Sequence, residues 1–313
     1  MRDGIQSLRL RCNRGENDSG FNTMDPGYLD KLQDGGDHLL YADWERDGAE
    51  IQHAEFKRCR FVGVGLKKAK FTDCTFSACR FEDVYLPYGS FDRVDLTATR
   101  FSNCNLRHTT FEGCKLWYTE FDRCELDHES ILATAPAEQN LRMRLIRNLR
   151  LNAESVGDGK TADALYIREM DALCAEQWCI FTHCNAYYKD RYFGAARFKG
   201  LVEWSGLVIS KHVWGYGVRL SALFRSAAAI ILISGIVIWL SGSRVIHPPT
   251  GSAIAPAGFS EALYLCVVSF TTLGYGDFAP WDSLARFVCV VDAAAGAVFL
   301  GLLAASAFRK IKR

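Results

Sequence analysis

The chain has 313 residues, 49% of them apolar, and a formal net charge of +1. That length allows two or three domains, and the balanced charge offers no footprint for nucleic acid or for an acidic partner. The stretch from Met1 to Asp25 is polar and charged, without the apolar core of a secretory signal, so the twelve cysteines do not mark a secreted disulfide scaffold.

Residues 1–48 read as a polar segment, partly disordered. From there a period of five takes over. Every fifth residue from Ile51 to Ile131 is large and apolar, among them Phe56, Phe61, Leu66, Phe71, Phe91 and Phe121, seventeen positions without a miss. Two residues before each lies a second, mostly small series that includes Ala54, Cys59, Ala69, Cys74, Gly89, Thr99 and Cys124. Neither a helix nor a plain strand has a period of five. Two inward positions per unit, stacked in columns, describe a solenoid. All six cysteines of the segment occupy the small series, which reads as packed reduced thiols, with disulfide or metal roles as the alternatives.

Ala49 to Leu132 resembles the pentapeptide-repeat family. The resemblance implies a right-handed, four-sided β-helix over 49–133, about four coils and roughly 20 Å long at the usual strand spacing. Some members mimic DNA with an acidic surface. Here twelve acidic residues face twelve basic ones between Ile51 and Ile131, so a scaffold or docking surface is expected and nucleic acid is not.

Residues 136–219 read as a helical connector with an interfacial segment. Leu141, Leu145 and Leu149 share a helical face, Gly157-Asp158-Gly159 interrupts it, and helical spacing resumes from Ala162 to Trp178. This predicts a helical hairpin capping the open solenoid. Cys174, Cys179, His183 and Cys184 raise a zinc site, but their spacing matches no common one, and a structural role is preferred. Lys189 to Arg225 interleaves basic residues with Trp204, Trp214 and Tyr216, as at the cytoplasmic face of a membrane.

Residues 220–313 hold two long apolar runs. Ala222 to Leu240 covers about 28 Å as a helix, enough to span, with Arg225 and Ser226 near one end. The second run, Leu284 to Phe308, contains Arg286 and Asp292 and is followed by Arg309, Lys310, Lys312 and Arg313. Positive charge flanks the pair and is sparse between them, which places both termini in the cytoplasm. Phe259 to Phe270 is too short to cross and reads as a re-entrant helix. It runs into Thr271-Thr272-Leu273-Gly274-Tyr275-Gly276-Asp277.

This segment, from about Ser221 to Phe308, resembles the two-transmembrane prokaryotic potassium channels. The resemblance implies a selectivity filter at Thr272, Leu273, Gly274, Tyr275 and Gly276, a homotetramer in the bilayer, potassium as the permeant ion and no cofactor. Leu273 replaces the usual valine. Some relatives support the filter aspartate with a glutamate nine residues earlier; here that position is Val268, so Tyr264 is the candidate support for Asp277. Gly296 falls at the family's inner-helix hinge. Asp292, four residues before it, either bonds to the pore helix or faces the cavity to attract cations. The expected architecture is thus multidomain: β-helix, α-helical connector and two-helix pore module. No nucleotide loop, metal constellation or nucleophile motif suggests an enzyme. The competing readings are a membrane-anchored docking protein and a non-selective cation channel. With five residues after Phe308, regulation is expected to enter through the N-terminal half.

Overall fold

A computed structural model describes residues 22–23, 35–184, 186–247 and 253–311. They form two compact units that divide between Glu176 and Gln177. The reading of 1–34 as disordered lies outside the described residues, apart from a short strand at Asn22–Thr23.

The first unit is a parallel β-solenoid of about five turns. Most pentapeptides supply a short strand whose central large residue is buried and whose neighbours face out, as in Arg60–Val62, Lys70–Thr72 and Ser90–Asp92, while those at Gly65, Tyr85, Asp95 and Lys115 pair through single bridges. Strands pair in register with those twenty residues away, Phe61 on Phe81 and Phe101 on Phe121. Identical rings therefore stack: Phe61 on Phe81 at 4.6 Å, Phe81 on Phe101 at 4.7 Å, Phe71 on Phe91 at 4.9 Å. Each such pair contributes about 0.5–1.5 kcal/mol beyond the area it buries.

The corners require a conformation that residue type did not announce. From His38 to Arg123 every fifth residue has positive φ, eighteen in succession, and only Gly48, Gly63 and Gly113 among them are glycine. An L-residue there is strained by roughly 1–2 kcal/mol. From His38 to Asn103 the corner N–H is compensated by the following coil, as His53 N–H to the Thr72 carbonyl at 3.1 Å and Arg93 N–H to the Glu112 carbonyl at 2.8 Å. The small inward series is also tied to the backbone. Thr109 and Thr119 hydroxyls donate to the Leu86 and Leu96 carbonyls at 2.7 and 2.9 Å, and the Cys114 thiol points at the Phe91 carbonyl at 3.3 Å. The six repeat cysteines are buried free thiols.

One coil lies upstream of the expected boundary at 49. Gly36–Asp37 pairs with Glu55–Lys57, and Leu39–Ala42 with Arg60–Val62. The periodic signal stops there because residue types change places: Gly36 and Arg46 stand at large positions, and Trp44 at a small one. Buried Tyr41, stacked on Phe61 at 4.7 Å, and buried Trp44 complete the core instead. The segment 35–48 thus belongs to the solenoid and not to a polar leader.

Three helices follow: α1 (His128–Ala133), α2 (Gln139–Ser155) and α3 (Gly159–Thr182). The last coil would leave a sheet edge unpaired. Helix α2 closes it with two asparagines one turn apart. Asn148 accepts from Phe121 N–H at 2.8 Å and donates to its carbonyl at 3.2 Å; Asn152 does the same for Cys124 at 2.7 and 2.8 Å. Leu145 and Leu149 of the same face join the solenoid core. Buried Glu169 of α3 holds α2 through Arg147 and Arg150 at 2.6 and 2.7 Å.

The second unit contains α4 (Ala186–Arg191), α5 (Ala195–Trp214), α6 (Leu220–Leu240), α7 (Phe259–Phe270) and α8 (Ser283–Ile311). Cys179 and Cys184 form a disulfide, and among the described residues no group of three or more His, Cys, Asp or Glu could hold a metal. Helix α5 packs Trp204 on Trp178 at 4.8 Å and leaves Phe198, Val202 and Ile209 exposed along one stripe. Helices α6 and α8 are long and apolar enough to cross a membrane. The side chains of the basic tail from Arg309 lie outside the described residues.

Candidate functional site

Helix α7 starts at Gly258, whose N–H donates to the Glu261 carboxylate at 2.9 Å. It buries Ala262, Leu265 and Cys266 against α6 and α8 and ends at Phe270. Thr272 and Leu273 N–H groups still donate to the Ser269 and Val268 carbonyls, each at 3.1 Å. Beyond them the chain leaves the helix. Its carbonyl end, the negative pole of the helix dipole, directs favourable potential for a cation along the axis.

In Thr272 to Gly276 the sign of φ alternates: it is positive at Thr272 (56°), Gly274 (57°) and Gly276 (77°), and negative at Leu273 and Tyr275. Glycine serves the two later positions for conformation and not for space, since nothing lies within 4 Å of a Cβ built on either. Thr272 accepts the same geometry as a strained non-glycine residue, with its hydroxyl donating to the Thr271 carbonyl at 2.7 Å. Leu273 and Tyr275 are 58% and 68% exposed within the single chain.

The segment after Gly276 is held by side chains. Tyr264 of α7 donates to Asp277 at 2.8 Å, and its ring meets Phe278 at 5.5 Å. Asp292 is fully buried in the chain. Ser234 of α6 donates to its Oδ1 at 2.7 Å, and the Cys266 thiol of α7 faces it. The carboxylate thus sits where both spans and the pore helix meet, bonded to the first span and not directed into open space. Gly296 lies inside an uninterrupted α8, and a Cβ there would fall far inside contact distance of the Phe270 carbonyl oxygen. It marks a close helix crossing.

One contributor escaped the sequence reading: Ser234 supplies the partner of Asp292. Small residues inside an apolar span were the available signal.

The comparisons with known proteins agree with this division. Residues 49–131 match the pentapeptide repeat region family, and residues 226–313 match an ion channel family. No curated protein matches the chain. Among solved structures, a trypsin-treated form of QnrB1, a plasmid-mediated fluoroquinolone resistance protein, is 14% identical with a TM-score of 0.16, covering 30% of this chain and 56% of its own. A pentapeptide repeat protein, Rfr23 from the cyanobacterium Cyanothece 51142, is 9% identical with a TM-score of 0.17, covering 32% of this chain and 94% of its own. This chain spans little more than half of the QnrB1 chain it resembles. The protein is a pentapeptide-repeat domain fused to a two-helix ion channel module.

Proposed function

We propose that the chain is one subunit of a homotetrameric potassium-selective channel in a prokaryotic plasma membrane, with both termini cytoplasmic. The observation that carries this reading is the TTLGYGD segment, with its alternating φ, at the end of a half-crossing helix between two spanning helices. Rings of backbone carbonyls replace the hydration shell of potassium in channels of this kind. In this reading four copies of Thr272 to Gly276 aim their carbonyls at a common axis, and Thr272 hydroxyls add a further ring. One filter segment per chain calls for four chains. Leu273 and Tyr275 find partners in neighbouring subunits, which accounts for their exposure in one chain.

The pentapeptide domain acts as a regulatory or docking module. Its mixed charge, paired across coils as in Arg93 with Asp73 and Lys70 with Glu50, supports a protein partner over nucleic acid. The exposed apolar stripe of α5, directly before the first span, supports a helix resting on the inner membrane surface.

Potassium flux through the purified protein in liposomes tests the proposal. Rapid potassium flux with sodium flux lower by orders of magnitude is expected. Equal fluxes reduce the protein to a non-selective cation channel, and no flux of either ion favours a membrane-anchored docking protein.

A further inference from the structure

The loop after the first span forms a strand. Arg244–His247 pairs antiparallel with Ala253–Pro256 on one side and with Ala279–Pro280 on the other. Its second partner begins two residues after Asp277, so this strand is hydrogen-bonded to the segment that leaves the filter. Three further contacts lock the register. Trp281 N–H donates to the Arg244 carbonyl at 3.0 Å, Arg244 N–H donates to the Asp282 carboxylate at 2.6 Å, and the Arg244 guanidinium reaches the other Asp282 oxygen at 3.4 Å. The strand is also anchored in the pore module. Val245 is fully buried beside Ile238, Leu265 and Cys266, and the Ser243 carbonyl accepts from Ala257 N–H at 2.9 Å just before the pore helix.

The filter segment itself lacks such support. Among the described residues, Gly274, Tyr275 and Gly276 take part in no backbone hydrogen bond. Their position is set from the two ends: by the pore helix through Thr272 and Leu273, and by whatever holds Asp277 onward. Tyr264 holds Asp277 from behind. We infer that the strand Arg244–His247, closed by the Arg244–Asp282 pair, is the second anchor, a positioning device that fixes the filter exit and thereby sets ion preference and how long conduction is sustained. This rests on the reading of Thr272 to Gly276 as a potassium filter. An exposed pair of this kind adds little to global stability. Carbonyl spacing in a filter is far more demanding than folding, so loosening one end alters function before it unfolds the chain.

The experiment compares wild type, Arg244→Gln, Asp282→Ala and the exchanged double variant Arg244→Asp/Asp282→Arg in planar bilayers, on full-length tetramers isolated by size. Each single variant should lower the potassium-over-sodium permeability ratio at least tenfold and shorten sustained conduction. The exchanged pair should recover part of both. Raising potassium on the filter-exit side should lengthen conduction in the single variants, because an ion bound to the intact filter favours that form by mass action; a defect of folding would not respond. If Arg244→Gln yields no tetramers, Arg244→Lys is read instead: it keeps the charge but not the planar fork, and an intermediate ratio is expected. Selective wild-type channels with single variants indistinguishable from them, or wild-type behaviour of Arg244→Lys where it replaces Gln, overturn the inference alone. Wild-type channels that pass sodium as readily as potassium overturn the filter reading and this inference with it.

Discussion

At Gly296 the missing side chain is a packing requirement. A methyl group there would collide with the Phe270 carbonyl oxygen, and neither backbone can yield without moving the end of the pore helix. Gly296→Ala should therefore push α8 away from α7 and lower potassium conductance severalfold in liposome flux. Gly301→Ala, five residues on, meets nothing within 4 Å in the subunit and should conduct like wild type. Equal behaviour of the two variants would return Gly296 to a hinge role, in which added stiffness and not collision matters. The position was legible in the sequence as a special glycine. The reason for it was not, because the colliding atom belongs to Phe270, twenty-six residues away.

In the solenoid, stability is shared between stacked rings and the cap. Phe91 is fully buried, stacked on Phe71 and on Phe111 at 4.9 and 5.0 Å. Phe91→Asp should cost several kcal/mol, about the penalty of an unpaired buried carboxylate in place of a ring, and open the repeat to limited proteolysis in the full chain. Asn152 is the counterpart at the end of the stack. Asn152→Ala leaves the N–H and carbonyl of Cys124 without their bonds, a loss of about 2–4 kcal/mol for two buried groups, read as a lower thermal midpoint for loss of solenoid structure. Surface ion pairs behave differently. Arg93 hydrogen-bonds Asp73 and holds its carboxyl below the ordinary value of 3.8. A lowered folded value means stability present above the unfolded value and lost as pH falls through the folded one. The wild type should therefore melt slightly above Arg93→Ala at pH 7, and the gap between them should close as pH falls below about 4. Burial acts in the opposite sense on the thiols: Cys114 is pushed up to about 11, so it remains protonated and unreactive at neutral pH.

Across the whole chain two domains are recognisable, a pentapeptide repeat region and an ion channel module. The channel module holds both long apolar helices, the short helix between them and the TTLGYGD segment within residues 220–311. Deleting residues before Leu220 should accordingly leave a tetrameric, potassium-selective pore whose open probability differs from that of the full chain, measured by single-channel recording. Helix α5, with its exposed apolar stripe, directly precedes α6 in the chain. Identical gating of the truncated and full channels under every condition tried would make the pentapeptide domain a docking module with no influence on the pore.

The five-residue period, the two long apolar helices and the TTLGYGD motif could be read from residue order because each is local. A period, a run length and a short motif need no knowledge of what lies across the fold. The first coil escaped because Tyr41 and Trp44 fill the core where neighbouring positions break the residue-type rule, and only stacking on Phe61 reveals them. The left-handed corners escaped for a related reason. Their strain is offset by bonds to carbonyls nineteen residues away, so ordinary residues such as Arg58, Ala78 and Tyr88 can occupy them. In the pore module the same contrast holds. Thr272 to Gly276 announce themselves by type, whereas the settings of Asp292 on Ser234, Gly296 on Phe270, and Arg244 on Asp282 join residues 26 to 58 positions apart. Sequence order specifies which groups are available. Burial and close approach, which arise only when distant segments meet, specify which of them are partners.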